Sequence, residues 1–191
     1  MSGLDQSPIV DALLQEINAA VDTADAHGIC TRVKAALENT LSQHQDFLPE
    51  EFTRAVPNGY ARHLLHRDPQ KRYSIVMMVW DKGQGTPIHD HNGHWCVECV
   101  YKGQIEVVSY DLSEECQNNC VRFEEQERIV ANIGGAGALI PPHEYHTIAN
   151  PCEEKAVTMH VYKGEIESCH IFEPTGEANL FRRVRKELCY S

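Results

Sequence analysis

Three histidines in this chain of 191 residues have the spacing of metal ligands. His89 and His91 stand two residues apart, and on a β-strand this spacing puts both imidazoles on one face with neighbouring Cβ atoms. His146 lies far along the chain, so only a closed β architecture can bring it to the same place. Neutral imidazoles bind borderline divalent metals. The pattern therefore predicts a three-histidine metal site with coordination positions left open.

Both histidine segments are similar to the two motifs of the cupin superfamily. The first motif is Gly, five residues, H-x-H, three or four residues, Glu, six residues, Gly, and the residues that match it are Gly83, His89, His91 and Gly103. The second motif is matched by Gly135, Pro141, His146 and Asn150, with His143 in place of its Gly. Cys96 stands where the first motif has Glu. A thiol has replaced a carboxylate ligand, and the metal is expected to keep its full positive charge.

Length and composition indicate one acidic domain. The chain is long enough for a single sizeable core, and its 17 basic against 28 acidic residues give a net charge of -11. That charge argues against binding to nucleic acid or to an anionic membrane surface. No apolar run has the length of a membrane span, and the first residues lack the features of a signal peptide. We therefore expect a cytoplasmic protein.

The eight cysteines are expected to be reduced thiols, since they are scattered and no export signal accompanies them. Two pairs leave an alternative open. Cys96 and Cys99 form C-x-x-C, and Cys116 and Cys120 flank a polar turn, so either pair could be a zinc or redox site.

The order of elements predicts a mainly β fold, a small barrel or jelly roll preceded by helices. Apolar residues recur at helical spacing after Ser7, which can cap a helix with Pro8 in its first turn. Further helices are predicted over residues 31–42 and 49–55, and short strand-like runs follow from Tyr60 onward. We predict one cupin domain over residues 1–191, with a helical segment (1–56), a β-barrel (57–175) and a basic, solvated tail (176–191).

Additional short segments extend the similarity beyond the general cupin motifs. Y-A-R at Tyr60, H-D-H-N-G-H-W-C at His89, H-T-I-A-N at His146, T-M-H-V-Y ending at Tyr162 and C-H-I-F at Cys169 occur in this order. Over roughly residues 57–173 they resemble the cysteine dioxygenase family. The resemblance implies a non-haem iron enzyme that adds dioxygen to a thiol.

The resemblance also implies a role for each matching residue. His89, His91 and His146 would bind Fe(II), Arg62 would pair with the substrate carboxylate, and Tyr60 and Cys169 would line the pocket. Cys96 and Tyr162 match a pair that this family joins as a thioether cofactor, and His160 matches the histidine that orients the tyrosine hydroxyl. Thr158 stands where the family usually has Ser, and it keeps a hydroxyl for His160.

The residues by themselves leave several of these roles open. A buried Arg62 meets either a substrate carboxylate or an internal Asp or Glu, since its fork of donors suits any carboxylate. Cys96 could be a small buried apolar residue. His160 and Tyr162 point the same way from a strand, and one of them could belong to the apolar core. His94 and His143 fall outside the motif positions and are expected beside the ligands or at the surface.

We therefore expect an enzyme that oxidises L-cysteine to cysteine sulfinic acid with dioxygen, its partners being a small thiol and dioxygen. The chain is expected to act as a monomer. A first alternative is a dioxygenase for 3-mercaptopropionate or another mercapto acid. A second is a cupin that binds metal and ligand as a sensor without turnover, and a third is an isomerase or zinc enzyme on the same barrel.

Overall fold

A computed structural model describes residues 7–22 and 25–191, so the parts of the predicted helical segment at residues 1–6 and 23–24 lie outside the described residues. Two α-helices and a short 3₁₀ helix precede eleven described strands. The helices are α1 (Pro8–Val21), α2 (Ala26–Gln43) and the 3₁₀ helix (Glu50–Thr53). The strands are β1 (Ala61–Arg67), β2 (Tyr73–Trp80), β3 (Ile88–His89), β4 (Cys96–Lys102), β5 (Gln104–Glu115), β6 (Cys120–Asn132), β7 (Ala136–Leu139), β8 (His146–Ala149), β9 (Ala156–Lys163), β10 (Ser168–Pro174) and β11 (Leu180–Glu187).

Both α-helices begin at side-chain caps. The Ser7 hydroxyl accepts from the main-chain N–H of Val10 at 3.5 Å, with Pro8 in the first turn as predicted. Asp25 caps α2 by accepting from the N–H of Gly28 at 2.7 Å, so this helix starts before its predicted beginning at residue 31. None of the described helices combines the length and apolar composition that a bilayer crossing requires.

The strands form two sheets. Strands β1, β2, β9, β4 and β7, in that order, form a five-stranded sheet, and β10, β11, β6, β5, β8 and β3 close into a barrel. The pairings between neighbouring strands are antiparallel. The prediction of a mainly β cupin fold with helices before the barrel is confirmed.

The expectation of a solvated tail after residue 175 was wrong for β11. This strand pairs with β10 along its whole length and with β6 at its beginning. Its basic side chains conceal a strand, since the exposed Arg182 and Arg185 lie beside half-buried residues such as Phe181 and Val184. The main-chain N–H and C=O groups of β11 form hydrogen bonds with the neighbouring strands regardless of these charges. By pairing with both β10 and β6, β11 closes one side of the barrel.

The central strands of the five-stranded sheet are buried on both faces. In β2 every residue is buried, and Ile75, Met77 and Val79 share a core cluster with residues of α1 and α2. Val76 and Trp80 alternate with them and pack instead in a cluster with residues of the barrel strands. Strands β4 and β9 alternate in the same way. Their barrel-facing residues include Cys96 and Glu98 on β4 and Thr158, His160 and Tyr162 on β9.

Candidate metal centre

The three motif histidines meet between the two sheets. His89 on β3 is the direct cross-strand partner of His146 on β8, and His91 follows β3. The ring centres of His89 and His146 are 4.4 Å apart. One ligand atom from each of the three residues lies within 4.8 Å of the others. Antiparallel pairing of β3 with β8 thus brings His146 next to His89 and His91, and the three side chains form a compact cluster.

Main-chain contacts of the His89 and His146 rings determine which ring nitrogen can bind a metal. Nδ1 of His89 donates to the carbonyl of Pro87 at 3.2 Å, and Nδ1 of His146 donates to the carbonyl of Glu144 at 3.0 Å. A carbonyl can only accept, so Nδ1 carries the hydrogen in both rings and the lone pair of Nε2 is free for a metal. This is the arrangement in which backbone groups orient metal-binding histidines.

A carboxylate that sequence reasoning did not identify supports His91. Glu144 Oε2 accepts from the main-chain N–H of His91 at 3.0 Å and lies 3.4 Å from its Nδ1. Burial raises the pKa of Glu144 to about 7. The signal was its place in the second histidine segment, two residues before His146.

The electrostatics favour neutral ligands at two of the three positions. Burial lowers the pKa of His89 well below its usual value and that of His91 to about 3. Neutral imidazole is the form that binds metal. His91 Nδ1 is also a buried atom without a hydrogen-bond partner. These properties of the three rings fit a divalent metal ion.

A second carboxylate, Glu98, lies beside the histidines. Its Oε2 is 3.6 Å from His146 Nε2 and 3.6 Å from His160 Nδ1, and it is buried without a hydrogen-bond partner. Burial by itself raises the pKa of Glu98, but the nearby His146 lowers it to about 2. Burial likewise lowers the pKa of His146, and the Glu98 carboxylate raises it above its usual value. Sequence reasoning did not identify Glu98, which pairs with two of the buried histidines.

The pocket in front of the histidines contains an arginine with an unused donor. Arg62 on β1 is buried, and its Nη2 has no hydrogen-bond partner. Its Nη1 donates to the carbonyl of Cys189 at 3.3 Å, and its guanidinium lies 5.4 Å from the ring centre of Tyr190. The contacts of the described residues thus pair Arg62 with a carbonyl and a ring rather than with an internal Asp or Glu. Arg62 lines a pocket that His89 and His91 also line.

A second cation in this pocket comes from the strand that sequence reasoning missed. Lys186 on β11 lies opposite Cys169 on β10, and its Nζ donates to the hydroxyl of Tyr60 at 3.4 Å. Tyr60 packs on Trp80 with ring centres 4.7 Å apart. Burial raises the pKa of Cys169 to about 11, so this pocket-lining thiol stays protonated. Lys186 can be placed in this pocket only once β11 is recognised as a strand that pairs with β10.

Cys96 and Tyr162 are direct cross-strand partners on β4 and β9. Residues in this relation point to the same face of a sheet with adjacent Cβ atoms. Burial raises the pKa of both groups well above their usual values. The Tyr162 hydroxyl contacts Met78 Sδ at 3.9 Å. The two side chains thus lie together and uncharged beside the histidines.

His160 takes part in a buried hydrogen-bond chain. Trp80 Nε1 donates to the Thr158 hydroxyl at 2.9 Å, and that hydroxyl lies 2.7 Å from His160 Nε2. Since Trp80 is the donor in the first contact, the hydroxyl hydrogen is available to His160. The other ring nitrogen, Nδ1, faces Cys96 Sγ at 3.9 Å, and the His160 ring stacks on Tyr162 with centres 5.8 Å apart. Burial lowers the pKa of His160 to about 4.

The remaining candidates lie away from the cluster. The His143 side chain is 80% exposed and lies 3.6 Å from Asp111, while His94 Nδ1 contacts the carbonyl of Lys163. Cys96 and Cys99 belong to core clusters on opposite faces of β4, which rules out a shared site for this pair. All eight cysteines are free thiols.

Several curated proteins are similar to this chain in sequence. Cysteine dioxygenase type 1 of Rattus norvegicus is 24% identical over 121 residues, which is 63% of this chain and 59% of the rat protein. The Homo sapiens protein of the same name is 27% identical over 124 residues, with shares of 63% and 59%. The Danio rerio protein of that name is 25% identical over 152 residues, or 77% of this chain and 72% of that protein. The match thus spans less than two thirds of the length of the rat and human proteins.

Solved structures resemble the chain more weakly. The TT1209 protein from Thermus thermophilus has a TM-score of 0.47 and 17% identity, covering 60% of this chain and 92% of that one. A cupin 2 conserved barrel domain protein from Salinispora arenicola has a TM-score of 0.42 and 20% identity, covering 60% and 83%. A family model described as cysteine dioxygenase type I matches residues 14–175. The chain therefore belongs to the cysteine dioxygenase type I family.

Proposed function

We propose that the protein is a thiol dioxygenase that converts L-cysteine to cysteine sulfinic acid at an Fe(II) ion held by His89, His91 and His146. The observation that supports this most directly is the cluster of three histidines, two of which, His89 and His91, line the same pocket as Arg62. Membership in the cysteine dioxygenase type I family supports the reaction class. In this reaction both atoms of dioxygen are added to the sulfur of RSH, and the product is RSO₂H.

Bound Fe(II) would coordinate the substrate as thiolate, lower its pKa and supply the electrons that activate dioxygen. The protein would position the other end of the substrate. Arg62 presents a buried, unpaired Nη2 to the pocket, and a carboxylate is the anion that a guanidinium fork binds best. Lys186 adds a second positive charge at the Tyr60 side. Positioning a small substrate in this way accounts for a large part of an enzyme's rate enhancement.

Tyr162 and His160 would act as neutral groups. Burial raises the pKa of the Tyr162 phenol, so its hydroxyl remains a donor that can bind an oxygen atom of dioxygen or of the substrate carboxylate. Burial keeps His160 uncharged, and Thr158 fixes the orientation of its ring. Neither side chain is required to transfer a proton in this scheme.

We further propose that Cys96 and Tyr162 form a thioether, supported by their direct cross-strand pairing. The step joins sulfur to a ring carbon, and the thiol hydrogen and one ring hydrogen pass with two electrons to dioxygen, which becomes hydrogen peroxide. After turnover in air, a fraction of the protein should be lighter by two hydrogen atoms, as measured by intact mass spectrometry. The Cys96→Ala variant should show no such species, and a mass loss that persists in this variant would refute the assignment.

The function itself is tested by oxygen uptake. Metal-free protein is loaded anaerobically with Fe(II), mixed with aerated L-cysteine, 3-mercaptopropionate or cysteamine, and monitored for oxygen consumption and sulfinate. We expect stoichiometric sulfinate formation from L-cysteine at the highest kcat/KM. Turnover of 3-mercaptopropionate alone would assign the mercapto acid activity. Bound iron without uptake for any thiol would favour a sensor cupin.

We also propose that the protein acts as a cytoplasmic monomer that takes a small thiol and dioxygen. Its net charge of -11 argues against binding to nucleic acid or to an anionic membrane surface. Size-exclusion chromatography with light scattering would test the oligomeric state.

A further inference from the structure

We propose that Tyr190 is a positioning residue for Arg62, and that the segment formed by residues 188–191 sets how strongly the pocket prefers thiols that carry a carboxylate. The inference rests on the proposed function, since it takes Arg62 as the group that binds the substrate carboxylate. It assigns a role in specificity to residues beyond the family-model match, which ends at residue 175.

The first support is the attachment of the 188–191 segment to β1. Strand β1 forms one edge of the five-stranded sheet, with β2 as its neighbour. The main-chain N–H of Ser191 donates to the carbonyl of Arg62 at 2.8 Å, and the main-chain N–H of Arg62 donates to the Ser191 hydroxyl at 3.0 Å. An edge strand has main-chain groups that need partners outside the sheet. The segment supplies these partners for Arg62 and so fixes its backbone.

The second support is the pair of contacts that the guanidinium itself makes with the segment. Nη1 of Arg62 donates to the carbonyl of Cys189, and the central carbon of the guanidinium lies over the Tyr190 ring, 5.4 Å from its centre. A cation within about 6 Å of the centre of a tyrosine ring is attracted by the negative face of that ring. These contacts use Nη1 and the face of the guanidinium. They leave the buried Nη2 without a partner among the described residues.

The third support is that the Tyr190 ring is itself held in place. Its hydroxyl donates to Glu165 Oε1 at 3.0 Å, and the same carboxylate accepts from Arg67 Nε at 2.7 Å. Burial raises the pKa of Tyr190 to about 12, so the hydroxyl keeps the proton that it donates. The main-chain N–H of Leu188 donates to the carbonyl of Glu167 at 2.8 Å. The segment is thus bonded to the connection between β9 and β10 as well as to β1.

Arg62 needs this support because it lies between two cavities. It lines the pocket of His89 and His91, and it also lines a second cavity of about 210 Å³ together with Cys189 and Ser191. An arginine side chain has considerable rotamer freedom, so an unrestrained guanidinium would serve both cavities. The contacts with Tyr190 and Cys189 restrict that freedom. Arg62 then loses less conformational entropy when a carboxylate binds.

The test measures thiol binding in the absence of oxygen. Fe(II)-loaded protein is titrated anaerobically with L-cysteine and with cysteamine by isothermal titration calorimetry. Tyr190→Leu should weaken L-cysteine binding by about 10-fold, the scale set by a partly desolvated cation–π contact, and should leave cysteamine binding unchanged. Tyr190→Phe keeps a ring over the guanidinium and should retain most of the preference for L-cysteine. In the Arg62→Ala background, Tyr190→Leu should change the binding of neither thiol, since the group that it positions is gone.

Phe181→Leu is the matched control, because it replaces a half-buried ring on β11 by the same aliphatic side chain. It should bind both thiols like the unaltered protein, and circular dichroism checks that each variant is folded. Equal weakening of both thiols in Tyr190→Leu, or an undiminished effect of this change in the Arg62→Ala background, would overturn the role of Tyr190.

Oxygen uptake by the same samples separates this inference from the proposed function. The expected binding pattern without oxygen uptake would support the role of Tyr190 and overturn the dioxygenase activity. Equal affinity of the unaltered protein for L-cysteine and cysteamine would overturn carboxylate binding by Arg62, and with it the role of Tyr190.

Discussion

Replacement of His146 by alanine is expected to remove the metal and to reduce thiol-dependent oxygen uptake by roughly 1,000-fold or more. His146 is 1% exposed, and its Nε2 lies in the cluster, 3.6 Å from Glu98 Oε2. A metal that activates a ligand contributes several kcal/mol to catalysis, and about 4 kcal/mol corresponds to this factor. Iron content by elemental analysis and uptake by an oxygen electrode would measure both effects.

The matched control for this variant is His143→Ala. His143 lies three residues before His146, but its side chain is 80% exposed and lies near Asp111 instead of the cluster. This variant should keep its iron and its activity. Retention of iron and of uptake in His146→Ala, in folded protein, would show that the metal lies elsewhere.

The second large effect is expected for Arg62→Ala with substrates that carry a carboxylate. The variant should lower kcat/KM for L-cysteine by about 100-fold, since a buried hydrogen bond between charged groups is worth about 2–3 kcal/mol. Cysteamine has no carboxylate, so its kcat/KM should be almost unchanged. Arg62→Lys keeps the charge without the planar fork and should recover only part of the loss.

Arg185→Ala is the control for the charge itself. This arginine lies on β11 with a side chain that is 68% exposed and pairs with Glu187. Its removal should leave the kinetics of both thiols unchanged. An equal loss for cysteine and cysteamine in Arg62→Ala would indicate damage to the pocket rather than loss of a carboxylate contact.

The sequence predicted the cluster of three histidines because two of them follow a short-range rule. Two histidines at a spacing of two share a strand face, and the motif around His146 indicated its partner. The apolar runs of β2 and β9 could likewise be predicted as strands, since burial on both faces of a strand produces a mostly hydrophobic segment. The fold class followed from these elements.

The parts that were missed depend on long-range pairing. The expected tail is strand β11 only because β10 and β6 lie beside it, and its charges gave no local indication of this. Lys186 was not predicted as a pocket residue because β11 was not predicted as a strand. Glu98 was overlooked for a different reason. The cupin motif assigns its glutamate to the position of Cys96, so Glu98 falls outside the motif. A glutamate within the apolar run C-V-E-C-V-Y nevertheless indicates a buried charge that has a partner.

The double-sided burial of β4 also bears on how such a site can change during evolution. Val97 and Tyr101 contact the helix side, while Cys96 and Glu98 face the histidines. Replacing a residue on one face leaves the contacts of the other face intact, so the reactive groups can vary while the scaffold persists. Barrel-facing positions two residues apart, such as those of Cys96 and Glu98, lie roughly 7 Å apart on the same face. Strand β4 thus presents neighbouring side-chain positions from which a reactive group can face the histidines.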